Sequence, residues 1–147
     1  MDDAGDGTVV TGRCYCGRVA IRATEAPRAV AYCHCADCRR VTGGPVAAFA
    51  AFDEAALSLT PDEGRAVSVS PGVRRSFCGA CGSPLTGRYD YLPGTVYVPV
   101  GVLDQAGRFA PTLHANEARR LPWLHIEDGL ERFSGSARAS LPGDAAG

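Results

Sequence analysis

Seven cysteines carry the chemistry of this sequence, in three tight clusters: Cys14-Tyr-Cys16, Cys33-His-Cys35-Ala-Asp-Cys38 and Cys78-Gly-Ala-Cys81. Compact clusters separated by long gaps are the layout of a metal site, where each turn supplies ligands and the fold brings the turns together. Cys78-x-x-Cys81 is the strongest single signal: its sulfurs can wrap one tetrahedral ion, and Gly79 and Gly82 let the loop N–H groups turn toward them. All-sulfur ligation points to zinc, with an iron–sulfur cluster as the lesser alternative. Two blander readings compete. A cysteine is often a small buried hydrophobe, and Cys35/Cys38 or Cys78/Cys81 could be a redox pair. The clustering argues against the first, and the lack of a strand–helix start in a βαβ setting against the second. An odd number of cysteines also forbids complete disulfide pairing within the chain.

Four thiolates close a structural zinc site, and three are left over; three protein ligands and one free position is the arrangement of a working zinc. Spacing alone does not say which four belong together. Read as a zinc ribbon, Cys35-x-x-Cys38 would pair with Cys78-x-x-Cys81, leaving Cys14, Cys16 and Cys33.

The elements that must position these residues are mostly strands. Val19, Ile21 and Ala23 alternate with more polar neighbours, Val67 and Val69 do the same, and in 95–103 Val96, Val98, Val100 and Val102 share one face. Pro99 lies on the opposite face and cannot donate to a ladder, which predicts a free edge there. Residues 46–52 form another apolar strand, and Pro-Gly pairs at 71–72 and 93–94 mark turns. Helix is scarce: a turn or two at 53–59 capped by Asp53, and another at 116–121 stopped by Pro122. The sum is a mainly β domain of twisted antiparallel strands with cysteine-bearing loops. Residues 1–7 read as a flexible acidic tail, 8–133 as the zinc-binding domain, and 134–147 as an extension whose end, from Gly143, is frayed.

The chain has 147 residues, the usual size of one domain, and 15 basic against 16 acidic residues, net −1. That balance gives no reason to expect a nucleic-acid partner. Every basic residue is Arg, so an anion would be held by guanidinium forks or backbone N–H groups. No apolar stretch is long enough for a membrane span, and the start carries Asp2, Asp3 and Asp6 rather than a secretory signal. The expectation is a cytoplasmic protein with reduced cysteines.

Gly12-Arg-Cys-Tyr-Cys-Gly17, Cys33-His-Cys-Ala-Asp-Cys-Arg39 and Phe77-Cys-Gly-Ala-Cys-Gly-Ser-Pro-Leu85 resemble the glutathione-dependent formaldehyde-activating enzyme family, which includes centromere protein V. The late Leu113-His-Ala and Pro122-Trp123 look like that family's C-terminal segment. The resemblance implies an Mss4-like fold and two zinc ions, one structural and one catalytic. It places the closed site at Cys14, Cys16, Cys78 and Cys81 and the open, catalytic site at Cys33, Cys35 and Cys38, a grouping that replaces the ribbon-like one. It implies a carbon–sulfur lyase acting on a glutathione–aldehyde adduct of the S-hydroxymethylglutathione type, or on a similar small thiol conjugate. The alternative is a non-catalytic zinc-binding module that docks a protein partner.

Around the open cluster, Arg39 and Arg40 could hold a glutathione carboxylate, and Gly43 and Gly44 could offer N–H groups to an anion. His34 and Asp37 could relay a proton, orient the loop or, for His34, close the site as a fourth ligand. His114 could line a pocket, whereas His125 reads as an edge or core residue. Arg74-Arg75 and Arg119-Arg120 read as solvated faces, and Phe49, Phe52, Phe77 and Trp123 as core or pocket wall.

Overall fold

In a computed structural model, which describes residues 9–137, the chain is mainly β with mixed antiparallel and parallel pairing. The acidic tail 1–7 and the frayed end from Gly143 lie outside the described residues. No helix among the described residues is long and apolar enough to cross a membrane.

A small sheet has the order β1 (Val10–Arg13), β2 (Ala20–Ala23) and β5 (Leu57–Thr60). An eight-stranded sheet runs β11 (Glu131–Arg132), β10 (Leu113–Ala115), β3 (Ala29–Cys33), β4 (Ala47–Asp53), β9 (Thr95–Pro99), β8 (Pro84–Tyr89), β7 (Val73–Phe77), β6 (Arg65–Val67). Alternation along its central strands assigns the two faces. Val30, Ala50, Phe52, Val96 and Val98 pack with Val10 and Ile21 of the small sheet into the main core. Ala47, Phe49, Tyr97 and Cys33 belong to the opposite face, where they meet Cys38. β4 is therefore apolar on both sides, which explains its unbroken run Ala-Ala-Phe-Ala-Ala-Phe. Gly12 is required where β1 meets Leu103, because a Cβ there would run into the Val102 carbonyl.

Several expectations change in detail. The 95–103 strand stops at Pro99 and turns into a 3₁₀ segment, Val100–Val102, so its last two valines leave the ladder. The β8 pairing reaches only Tyr97, so the side of β9 at Pro99 needs no donor there. Asp53 does cap a turn, its Oδ1 accepting from Ala55 N–H at 3.1 Å, but that turn is a 3₁₀ segment followed by β5. Residues 117–119 likewise form only a 3₁₀ turn.

The loop expected at the middle cluster is in fact a helix, α1 (Ala36–Thr42). Cys35 is its N-cap, its sulfur accepting from Cys38 N–H at 3.2 Å, and Gly43 ends it in the left-handed region with φ 78°. Cysteine is not among the usual capping residues, which is why the helix start went unread.

Candidate metal centres and the cavity beside them

Two turns from different sheets build the first cysteine group. The β1–β2 turn carries Cys14 and Cys16, and the β7–β8 turn carries Cys78 and Cys81. Tyr15 N–H donates to Ser83 Oγ at 2.8 Å and ties the turns together. Gly17 (φ 83°) and Gly82 (φ 82°) close them in a backbone region that suits glycine. All four sulfurs lie within 4.8 Å of one another, with Cys14–Cys16 at 3.7 Å and Cys16–Cys78 at 3.8 Å. A zinc–sulfur bond of about 2.3 Å gives a tetrahedral edge of about 3.8 Å, so this group fits zinc as it stands. Val19 N–H donates to Cys14 Sγ at 3.3 Å and Ala80 N–H to Cys78 Sγ at 3.4 Å. Ser83, by its hydroxyl and then its N–H, holds Cys81 down at about 5. Burial pushes Cys14 up, but the Val19 N–H and the Cys16 and Cys78 sulfurs outweigh it, and the net shift is downward.

The second group, Cys33, Cys35 and Cys38, comes from the end of β3 and the start of α1. Cys38 Sγ lies 3.0 Å from both Cys35 Sγ and Cys33 Sγ. Shared hydrogen bonds, chiefly with Cys33 and then Cys38, press Cys35 down to about 2. The Cys35 contact and burial outweigh Cys38 and push Cys33 up, and the Cys33 and Cys35 contacts push Cys38 up. Three convergent soft donors suit zinc, although the sulfurs must spread by roughly 0.8 Å to reach the tetrahedral edge. No fourth His, Cys, Asp or Glu joins them among the described residues. The ribbon-like pairing of Cys35 and Cys38 with Cys78 and Cys81 does not occur, because Cys78 packs in the core on one face of the large sheet and Cys38 on the other.

Cys33 and Cys38 open onto a cavity of ≈ 90 Å³. Its floor is the sheet face of Ala29, Ala31, Ala51, Leu113 and Ala115, and its walls are Phe49, Tyr89, Tyr91, Tyr97 and the 136–137 segment. Burial pushes the Tyr89 hydroxyl pKa well up, so the ring is a neutral wall. Asn116 stands at the rim in the left-handed region (φ 56°, ψ 41°). It caps nothing; its Nδ2–H donates instead to Cys33 Sγ at 3.3 Å. Sequence reading took Asn116 only as a helix start and missed this role. A polar residue that tolerates the left-handed region, just after a family-like strand, was the available signal.

His34 is not a fourth ligand. It is fully buried and belongs to a separate group with His114 and Glu117. β10 lies parallel to β3 with His114 beside Tyr32, and the two rings stack. His34 Nε2 lies 2.9 Å from His114 Nδ1, and His114 Nε2 lies 3.0 Å from Asp128 Oδ2. The tautomers that satisfy this chain have His114 donating to Asp128 and His34 donating to His114. They leave the buried His34 Nδ1, which has no partner among the described residues, as a bare lone pair. Burial holds the His34 pKa down. Glu117 is gripped by Arg120 and Arg132 at 2.8 and 2.7 Å. His114 thus braces the middle cluster from behind rather than lining the cavity.

The residues expected to hold an anion stand elsewhere. Arg39 reaches the Arg119 carbonyl at 3.5 Å and does not line the cavity. Gly43 N–H is spent on the Arg39 carbonyl at 2.7 Å and Gly44 N–H on Thr42 Oγ1 at 3.3 Å, so neither is free to cradle an anion. Asp37 and Arg40 line a second hollow with Val67, Val69 and Arg75. Two pairs read as solvated faces do more: Arg75 sits over the Tyr89 ring at 5.6 Å, and Arg120 holds Glu117. Phe49 is cavity wall and Phe52 core, whereas Trp123 is 65% exposed.

Residues 9–118 match the family model described as glutathione-dependent formaldehyde-activating enzyme. No curated protein matches the chain. A crystal structure of a Rhodobacter sphaeroides protein is similar with a TM-score of 0.51 and 22% identity, over 64% of this chain and 87% of that one. At that identity the likeness speaks for the fold alone.

Proposed function

The chain belongs to the glutathione-dependent formaldehyde-activating enzyme family, and from that premise we propose that it is a zinc-dependent carbon–sulfur lyase. Its substrate class is a glutathione–aldehyde adduct of the S-hydroxymethylglutathione type or a similar small thiol conjugate. The observation that carries the reading is the division of seven sulfurs into a closed four and an open three, with the three facing a cavity.

Cys14, Cys16, Cys78 and Cys81 would hold a structural zinc, and Cys33, Cys35 and Cys38 a catalytic one. Zinc held by three cysteines keeps a soft fourth ligand such as a thiol deprotonated at neutral pH and so supplies a ready nucleophile or leaving group. The reaction breaks the C–S bond of R–S–CH(OH)–R′. The hydroxyl oxygen gives up its proton as it becomes the carbonyl, the sulfur leaves with the bonding pair, and that proton ends on the thiol. Addition is the same step reversed. Asn116 Nδ2–H, already aimed at Cys33 Sγ, keeps that sulfur in place, and the Phe49, Tyr89 and Tyr97 rings give the carbonyl side an aromatic wall. His34, pinned through His114 to Asp128, holds the backbone between two ligands. The two sheets with their cysteine turns are read as the Mss4-like arrangement, and a cytoplasmic setting is the one that would keep such thiols reduced.

The exposed Val67 and Val69 beside the edge strand β6 are what would suit the alternative, a protein-docking module without catalysis. The test is exchange spectroscopy of S-hydroxymethylglutathione with protein shown by metal analysis to hold two zincs. Interconversion well above the uncatalysed rate is expected. A two-zinc protein that leaves the exchange rate unchanged, for this adduct and for those of larger aldehydes alike, would end the enzyme reading.

A further inference from the structure

The cavity beside Cys33 says what kind of carbonyl compound this enzyme handles. We propose that its aldehyde is a short, neutral, aliphatic one of about two to four carbons, rather than formaldehyde or an aldehyde bearing a charge. The inference rests on the lyase reading of the same site and narrows its substrate.

Room is the first argument. The ≈ 90 Å³ beyond the Cys33 and Cys38 sulfurs is several times the roughly 10–15 Å³ that one water needs on the same measure. Formaldehyde has no carbon beyond the carbonyl and would leave most of that space unfilled. Benzene occupies a cavity of about 150 Å³, so even a six-membered aromatic ring is too big. A tripeptide thiol is far too large as well, since ligand pockets for larger molecules run to about 300–1,000 Å³. Glutathione would present only its sulfur end to the trio.

The space exists because of particular residues. Ala29 and Ala31 alternate with Val30 on β3, so both stand on the same face as Cys33. Ala31 is flanked in register by Phe49 on one side and Leu113 on the other. A β-branched residue would be the ordinary choice for a strand floor, and alanine there leaves a hollow one side chain deep.

Chemistry is the second argument. Among the described residues no Arg, Asp or Glu lines the cavity. The nearby Arg75 guanidinium lies 5.6 Å from the centre of the Tyr89 ring and is not among the lining groups. A carboxylate drawn in beside the thiolates would find no lining cation among the described residues, which makes its burial costly. An alkyl chain meets alanine, leucine and aromatic surface, and each buried methylene strengthens binding about fourfold.

The experiment uses the zinc-replete full chain and hemithioacetals of glutathione with formaldehyde, propanal and glyoxylate. Propanal adduct is expected to be cleaved with kcat/KM about tenfold or more above formaldehyde adduct, the size of discrimination a fitted apolar pocket gives, and glyoxylate adduct hardly at all. Ala31→Val, which fills the floor and keeps all three cysteines, should reverse the order of propanal and formaldehyde. A second readout needs no turnover: unreactive propionamide should shift the ring resonances of Tyr89 and Tyr97 in the parent and not in Ala31→Val. If formaldehyde adduct is preferred and Ala31→Val changes nothing, the aldehyde assignment is wrong while the lyase reading stands. If no adduct is cleaved, the lyase reading fails and takes this one with it, and the propionamide shifts then tell whether the cavity still takes a small neutral molecule.

Discussion

Replacing Asn116 separates what its backbone does from what its side chain does. The residue sits at φ 56°, ψ 41°, its N–H donating to the Gly135 carbonyl at 2.8 Å and its carbonyl accepting from Arg119 N–H at 3.0 Å. Glycine takes that conformation freely, so Asn116→Gly keeps the turn and removes only the amide that donates to Cys33 Sγ. A hydrogen bond to a charged acceptor contributes about 1.5–3 kcal/mol. The 3.3 Å length favours the lower figure, so kcat/KM for the adduct should fall about tenfold. Stability should move by less than about 1 kcal/mol. Asn116→Ala loses the same donor and adds about 1–2 kcal/mol of left-handed strain, so its activity should match the glycine variant while its urea midpoint drops. Asn116→Asp tolerates the backbone but sets a carboxylate against the sulfurs, and should be the least active of the three. The assay is adduct turnover, with zinc content and urea unfolding measured on each variant. A glycine variant that is zinc-replete and as active as the parent would refute the role assigned to the amide.

The two sulfur groups should differ in what they do for folding. A structural zinc is worth about 10–16 kcal/mol against a total domain stability of about 5–15 kcal/mol. Cys81→Ala should therefore leave little folded protein by circular dichroism, whereas Cys35→Ala should stay folded, hold one zinc and lose activity; equal unfolding of both would contradict the division. Acid should act through the carboxylates behind His34. Burial pushes Glu117 up, but Arg120 and Arg132 outweigh it and hold it below its ordinary 4.5, and His114 holds Asp128 below its ordinary 3.8. Both folded values lie under the unfolded ones, so their contribution is complete above about pH 4.5 and is lost as pH falls through the depressed values. A Glu117→Gln/Asp128→Asn variant should lose less stability than the parent between pH 5 and pH 3 in urea titrations, and parallel acid profiles would show that these pairs contribute nothing.

What could be read beforehand depended on how local the signal was. The cysteine clusters and the alternation of Val19, Ile21 and Ala23 and of Val96 and Val98 are properties of neighbouring residues, and they led to the metal chemistry and the β class. The grouping of the sulfurs is not local: it depends on which turns the two sheets bring together. The ribbon-like pairing failed for that reason, because α1 and the β7–β8 turn pack with different faces of the large sheet. The helix itself was hidden by its cysteine cap and its Arg39-Arg40-Val41-Thr42 tail, which carries no apolar stripe. Parallel pairing of β10 with β3 joins residues some eighty positions apart, and nothing in either segment alone announces it. The His34–His114 contact and the reach of Asn116 to Cys33 both follow from that pairing, so neither was visible.

That same late pairing sets an order of events at birth. A chain emerging from the ribosome N-terminus first presents Cys33, Cys35 and Cys38 long before Asn116, which follows Cys33 by 83 positions. Until Leu113–Ala115 docks, the trio stands at an open sheet margin, accessible to whatever ion is delivered. Once the strand has docked, Asn116 reaches Cys33 and His114 reaches Asp128, so the support around the trio is the last part of its surroundings to be put in place.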